Sequence, residues 1–117
     1  MASADSPTAK VTDATWSQDV LESAEPVVVD FWAEWCGPCK AMAPAYERVA
    51  SELEPGLRFL KVDTEGEPEL SARYNIRSIP TLMLFQKGKV LAQQAGAIGA
   101  EGLRSWLRQH AALASQT

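Results

Sequence analysis

The sequence predicts an α/β fold built round a mixed sheet, and three observations carry that prediction. Val27-Val28-Val29-Asp30-Phe31-Trp32 is a β-branched and aromatic run with almost no alternation, the pattern of a strand covered on both faces and hence central in its sheet. Strand-like and helix-like segments alternate up to Gln86, which demands right-handed parallel crossovers. The last two strand-like segments are joined by Lys87-Gly88-Lys89, a hairpin signal. A hairpin forces antiparallel pairing, so the sheet is mixed, with helices on both faces.

Taken in order, Met1 to Ala9 is small and polar and reads as a loose extension. Lys10 to Thr12 is a short edge strand. Thr12 or Asp13 caps a helix that carries Trp16, Val20 and Leu21 on one side and stops near Glu25-Pro26. After the central strand, a helix runs from the cysteine motif at Cys36 to about Leu53, and Pro44 inside it is expected to kink or break it. Glu54-Pro55-Gly56 is a turn, and Leu57 to Val62 is a second buried strand. Glu67-Pro68 opens a short helix to Tyr74, with the proline in a tolerated first-turn place. Thr81 to Gln86 and Val90 to Ala95 are the hairpin strands. Gly99 to Ala112 is the last helix, with Leu103, Trp106, Leu107 and His110 on one face. Ala114 to Thr117 is a tail. The order is β-α-β-α-β-α-β-β-α, with one domain from residue 10 to residue 113.

The 117 residues can bury roughly two-thirds of the surface that the unfolded chain exposes, enough for a core without staples. The formal net charge of −4 argues against nucleic acid or an anionic membrane surface as the main partner. No apolar stretch approaches the ~20 residues that span a bilayer. The N-terminus has neither the basic start and apolar centre of a secretory signal nor the arginines of a mitochondrial presequence. The expected location is the cytoplasm, where a lone cysteine pair is catalytic or metal-binding more often than structural.

Both cysteines lie in Trp35-Cys36-Gly37-Pro38-Cys39. Two thiols with two residues between them suit redox exchange or metal ligation. Their place favours exchange, because the motif follows the carboxyl end of a central strand and opens a helix. Cys36 would face the first free N–H groups of that helix, whose partial positive charge favours thiolate over thiol, and Lys40 adds positive charge. Pro38 stiffens the link between the sulfurs. Cys39 sits one turn in and less exposed, so Cys36 attacks and Cys39 resolves the mixed disulfide. A structural zinc site wants four N or S ligands, and the chain holds two cysteines and one histidine, His110. That histidine reads as a partly buried or helix-end residue.

Asp30 is a carboxylate in a covered strand, six positions before Cys36. Such burial is costly and raises the pKa towards neutrality, which equips it to exchange a proton with Cys39. Lys61 on the next buried strand could pair with Asp30; the alternative is a solvated surface lysine. Ile79-Pro80-Thr81 puts a proline directly before a strand. A cis bond is compatible with that place, although only about one X–Pro bond in twenty is cis, so these residues alone leave a trans loop proline standing.

Together these residues resemble the thioredoxin family. The resemblance runs from about Val11 to Leu113 and includes Val29-Asp30-Phe31-Trp32-Ala33-Glu34-Trp35-Cys36-Gly37-Pro38-Cys39-Lys40, Pro44, Lys61-Val62-Asp63, Tyr74-Asn75-Ile76-Arg77-Ser78-Ile79-Pro80-Thr81, Phe85, Gly88 and Gly96. It implies a thioredoxin fold, a central mixed five-stranded sheet flanked by four helices. It implies a dithiol–disulfide oxidoreductase that reduces protein disulfides, with Cys36 attacking, Cys39 releasing product, Asp30 transferring the proton and Lys61 beside it. Pro80 would be cis and packed beside the cysteines. The backbone at Ile79 would pair with the substrate chain, and Trp35, Gly37, Pro38, Ile79, Pro80, Gly96 and Ala97 would form the receiving rim. The family takes electrons from NADPH through thioredoxin reductase and needs no bound cofactor; a monomer is expected.

The pair Gly37-Pro38 narrows the resemblance. Disulfide isomerases and periplasmic oxidants usually carry a histidine between their cysteines, and glutaredoxin-like proteins a Pro-Tyr pair. Trp16 stands where phenylalanine is commoner in the family, and Thr64 where an apolar residue is frequent. Thr64 and Ala95 bear on which partners dock, not on the chemistry.

Overall fold

A computed structural model of the chain describes residues 8–110. Five strands form one sheet: β1 (Ala9–Lys10), β2 (Val27–Trp32), β3 (Arg58–Asp63), β4 (Thr81–Gln86) and β5 (Lys89–Ala95). Their spatial order is β1-β3-β2-β4-β5. β3 pairs in parallel with β1 and β2, while β4 is antiparallel to β2 and β5. Three α-helices, α1 (Gly37–Leu53), α2 (Pro68–Arg73) and α3 (Ala100–Gln109), and one π-helical turn (Ser17–Leu21) cover it. The expected α/β fold, a mixed five-stranded sheet with four helical elements, is what the chain adopts.

β2 is central and buried from Val27 to Phe31. Side chains alternate across a sheet, so its two faces feed two cores. Val28 joins Met42, Tyr46 and Val49 of α1 and Leu103, Trp106 and Leu107 of α3. Val27, Val29 and Phe31 join Trp16, Val20 and Leu70 on the other side. Trp16 is fully buried there, with its ring against Phe31, Tyr74 and Phe85. Met42, Tyr46, Val49 and Ala50 recur at helical spacing, which is why α1 lays one stripe on the sheet.

Several elements depart from their expected form. The first helix is one wide π turn, not an α-helix. Neither Thr12 nor Asp13 caps it, contrary to expectation: its N-cap is Trp16, with no side-chain cap, and Thr12 instead closes the preceding turn, where the Thr15 N–H meets Thr12 Oγ1 at 3.3 Å and the Thr12 N–H donates to Thr15 Oγ1 at 3.0 Å. Pro44 does not break α1, which runs 17 residues through it; burial of the stripe on both sides outweighs one missing N–H. The hairpin loop is the two residues Lys87 and Gly88, because Gln86 pairs with Lys89. Both have positive φ, 53° and 80°, the type I′ geometry that matches strand twist. A Cβ on Gly88 would lie 3.3 Å from the Leu21 carbonyl oxygen, so shape and space both demand glycine.

Ala9, expected in the N-terminal extension, pairs with Leu60 in β1. The rest of that extension up to residue 7, the expected end of the last helix at Ala112 and the tail from Ala114 lie outside the described residues. His110 ends α3 half-buried, its ring 5.6 Å from that of Trp106. No helix among the described residues is long and apolar enough to cross a membrane.

Candidate functional site

The end of β2 and the start of α1 place the two sulfurs. Cys36 is the N-cap of α1, and Pro38 occupies the first turn, where its missing N–H costs nothing. Cys36 and Cys39 are joined by a disulfide, with their Cα atoms 5.3 Å apart, an ordinary span for a bridge. Cys36 Sγ accepts the Cys39 backbone N–H at 3.1 Å, so a donor of the helix's first turn points at that sulfur. The helix dipole adds to this and favours negative charge there.

Residue exposure does not separate the two cysteines, which are 3% and 2% accessible. The expectation that Cys39 is markedly less exposed is therefore corrected. What distinguishes them is the groove. Cys36 lines an open cavity of about 470 Å³ with Trp35, Gly37, Pro38, Thr64, Ser71, Ile76, Arg77, Ser78 and Ile79, whereas Cys39 does not. Trp35 stands 69% exposed at its edge, and its indole N–H donates to Glu65 at 3.1 Å. Lys40 pairs with Glu34 at 3.4 Å on the surface, so its charge is compensated and adds little to the field at Cys36.

The Ile79–Pro80 bond is cis. Ile79 packs against Cys36 and Cys39, and its carbonyl oxygen lies 3.8 Å from Cys36 Sγ. Pro80 is buried, and its carbonyl accepts the Gly96 N–H at 2.9 Å. This bond ties the loop after β5 to the loop before β4. Gly96 and Ala97 are exposed and do not line the groove; they extend the surface beyond Pro80. Of the anticipated rim, the structure gathers Trp35, Gly37, Pro38 and Ile79 at the sulfur and leaves Gly96 and Ala97 outside. Thr64, singled out in the sequence as a polar substitution, lines the groove. Ser71, Ile76, Arg77 and Ser78 line it too and were not anticipated, although Arg77 and Ser78 directly precede Ile79.

On β2, Asp30 is 1% accessible on the sheet face that carries Val28. Its Oδ1 has no hydrogen-bond partner. Burial pushes the Asp30 carboxyl up to about 7, with the Lys61 ammonium opposing. Asp30 and Lys61 are register partners across β2 and β3, and Lys61 Nζ lies 4.3 Å above the Trp32 ring. Lys61 is thus half-buried beside the carboxyl, not a solvated surface lysine. Tyr46, on α1 beneath, donates its hydroxyl between the carbonyls of Val28 and Leu60, at 3.0 and 2.7 Å. Among the described residues no cluster of three or more His, Cys, Asp and Glu side chains is placed to hold a metal ion.

A buried disulfide at a helix mouth, a groove lined by one of its cysteines and, on the strand that leads to them, a buried carboxyl raised to about 7 suit thiol–disulfide exchange. Comparison with known proteins agrees. The family model described as Thioredoxin matches residues 7–109. The chain is 44% identical over 102 residues to thioredoxin 1 of Nostoc sp., which covers 87% of this chain and 95% of the relative. It is 45% identical to thioredoxin 1 of Synechococcus elongatus with the same coverage. It is 47% identical over 98 residues to thioredoxin of Mycobacterium bovis, 84% of each chain.

Proposed function

The chain belongs to the thioredoxin family, and from that premise we propose that Cys36 is the attacking sulfur and Cys39 the resolving one. Its activity is thiol–disulfide oxidoreduction through this pair. In the reduced protein, the Cys36 thiolate attacks one sulfur of a substrate disulfide. The Cys36–substrate S–S bond forms, the substrate S–S bond breaks, and the departing sulfur leaves as a thiolate that takes up a proton. Asp30, ionised, accepts the Cys39 proton. The Cys39 thiolate then attacks Cys36 Sγ, the Cys36–Cys39 bond forms, and the second substrate sulfur leaves. Two electrons and two protons pass to the substrate.

The observation that carries this reading is the position of Cys36 Sγ. It takes the Cys39 N–H of the first turn of α1 at 3.1 Å and belongs to the cysteine that lines the groove. Trp35, Gly37, Pro38 and Ile79 receive the substrate chain at the sulfur, and Gly96 and Ala97 continue the surface past Pro80. The Ile79 backbone pairs with the substrate, and buried Pro80 holds that backbone against the cysteines. Lys61 acts beside Asp30. The oxidised protein is reset by NADPH electrons through thioredoxin reductase, and its partners are that reductase and disulfide-bearing proteins. The protein works as a cytoplasmic monomer without a bound cofactor, carrying electrons in cell redox homeostasis.

Insulin reduction with NADPH and thioredoxin reductase tests this. Cys36→Ser abolishes turnover, and Cys39→Ser stalls as a mixed disulfide with the substrate. A Cys36→Ser protein as active as the wild type would overturn the assignment of the nucleophile.

A further inference from the structure

We propose that Trp32 is a positioning residue: its indole face holds the Lys61 ammonium beside Asp30, and through Lys61 it sets how readily Asp30 binds its proton. The inference rests on the reading of Asp30 as the proton carrier and adds to it the group that holds its counter-charge in place.

Three placements support it. Asp30 and Trp32 are two residues apart on β2, so they project from one face of the sheet. Lys61 is the register partner of Asp30 on β3 and projects from that face too. Its Nζ lies 4.3 Å from the centre of the Trp32 ring, within the range over which a ring face attracts a cation. A lysine has four flexible methylenes and a strongly hydrated head, and it turns to water unless something holds it. No carboxylate does so at ion-pair distance among the described residues. The indole is the group in contact with the ammonium.

The other groups round Asp30 leave this role to Lys61. Its register partner on β4 is Leu82, which is apolar. From α1 Tyr46 feels the Asp30 charge, and burial keeps its hydroxyl well above its usual range and hence neutral. Cys39 belongs to the disulfide in this state. Lys61 is the one group that counters desolvation of the carboxyl. Trp32 also packs against the small cluster of Ala33, Cys36 and Cys39, so the side chain that holds the lysine touches the redox pair as well.

The test follows the Asp30 carboxyl carbon by 13C NMR through a pH titration of the oxidised protein, where neither thiol titrates. Trp32→Leu raises the Asp30 midpoint by about half a unit, and Trp32→Phe, with its weaker ring face, by less. Lys61→Met raises it as well, and adding Trp32→Leu to Lys61→Met moves it no further. An unchanged midpoint in Trp32→Leu overturns the proposal. So does an equal shift with and without Lys61, because the indole would then act by shielding alone. If the leucine variant does not fold, the wild type decides: the Lys61 methylene protons next to Nζ are shifted upfield by the indole ring current, and random-coil shifts there overturn the contact. Failure of the underlying reading looks different. An Asp30→Asn protein with wild-type turnover removes Asp30 from proton transfer and leaves every titration above as it was.

Discussion

Asp30 and Lys61 stand at matched positions on neighbouring parallel strands, and the lysine offsets only part of what burial does to the carboxyl. The balance has a stability consequence with a definite sign. Folded Asp30 keeps its proton up to about pH 7, whereas an aspartate in an unfolded chain releases it near pH 4. Between these values the folded state binds more protons, so stability falls as pH rises through the window and levels off above it. The ionised carboxyl costs on the order of 3–4 kcal/mol at pH 8. Asp30→Asn removes the charge. Urea denaturation at pH 4, 6 and 8 will find the variant gaining on the wild type at each step, and parallel curves would contradict the buried charge.

The same substitution has the opposite effect on turnover. Asparagine cannot take the Cys39 proton, so the resolving step slows by about tenfold or more near pH 7. At pH 9 and above, hydroxide ionises Cys39 unaided and the deficit narrows. Rapid-quench measurement of the mixed disulfide across pH distinguishes this from a general loss of activity, which would be uniform with pH.

Trp35 contributes exposed apolar surface at the edge of the groove and touches neither buried core. Trp35→Ala will raise KM for a protein disulfide, by about tenfold if the ring is an anchoring contact, and leave the reduction of a small aromatic disulfide near wild type. Equal losses on both substrates would place the ring in the chemistry instead of in docking.

Gly96 has φ +94°, a conformation L side chains resist, although a Cβ there would meet nothing within 4 Å. Its N–H bond to the Pro80 carbonyl holds the loop in that shape. Gly96→Ala will therefore cost about 1–2 kcal/mol through the backbone alone. Thermal denaturation reads the loss, and an unchanged midpoint would mean that the loop is free to relax.

Much of the fold was legible because the burial pattern is written locally. Val27 to Phe31 is apolar or charged-but-buried at every position, and a short run so rich in β-branched residues is the pattern of a strand enclosed on both sides. The helix from the cysteine motif to Leu53 was legible, but not that it runs unbroken through Pro44: a missing N–H is local, while the burial of Met42, Tyr46 and Val49 that carries the helix through it is tertiary. The π turn escaped for a similar reason, since Trp16, Val20 and Leu21 fit more than one helical pitch. At the site, Cys36, Cys39 and Asp30 announced themselves by spacing and by burial cost. Ser71, Ile76, Arg77 and Ser78 did not, because the helix and loop that carry them are polar in sequence and become a groove wall only when folded beside Trp35.

Among the described residues the sulfurs sit in the smallest of three packed clusters, with Ala33 as its further fully enclosed member. The two large ones, on either side of β2, contain no cysteine. A catalyst that must open and reseal its own covalent bond at every cycle thus keeps the wear at one corner, and its scaffold has no need to rearrange as electrons come and go.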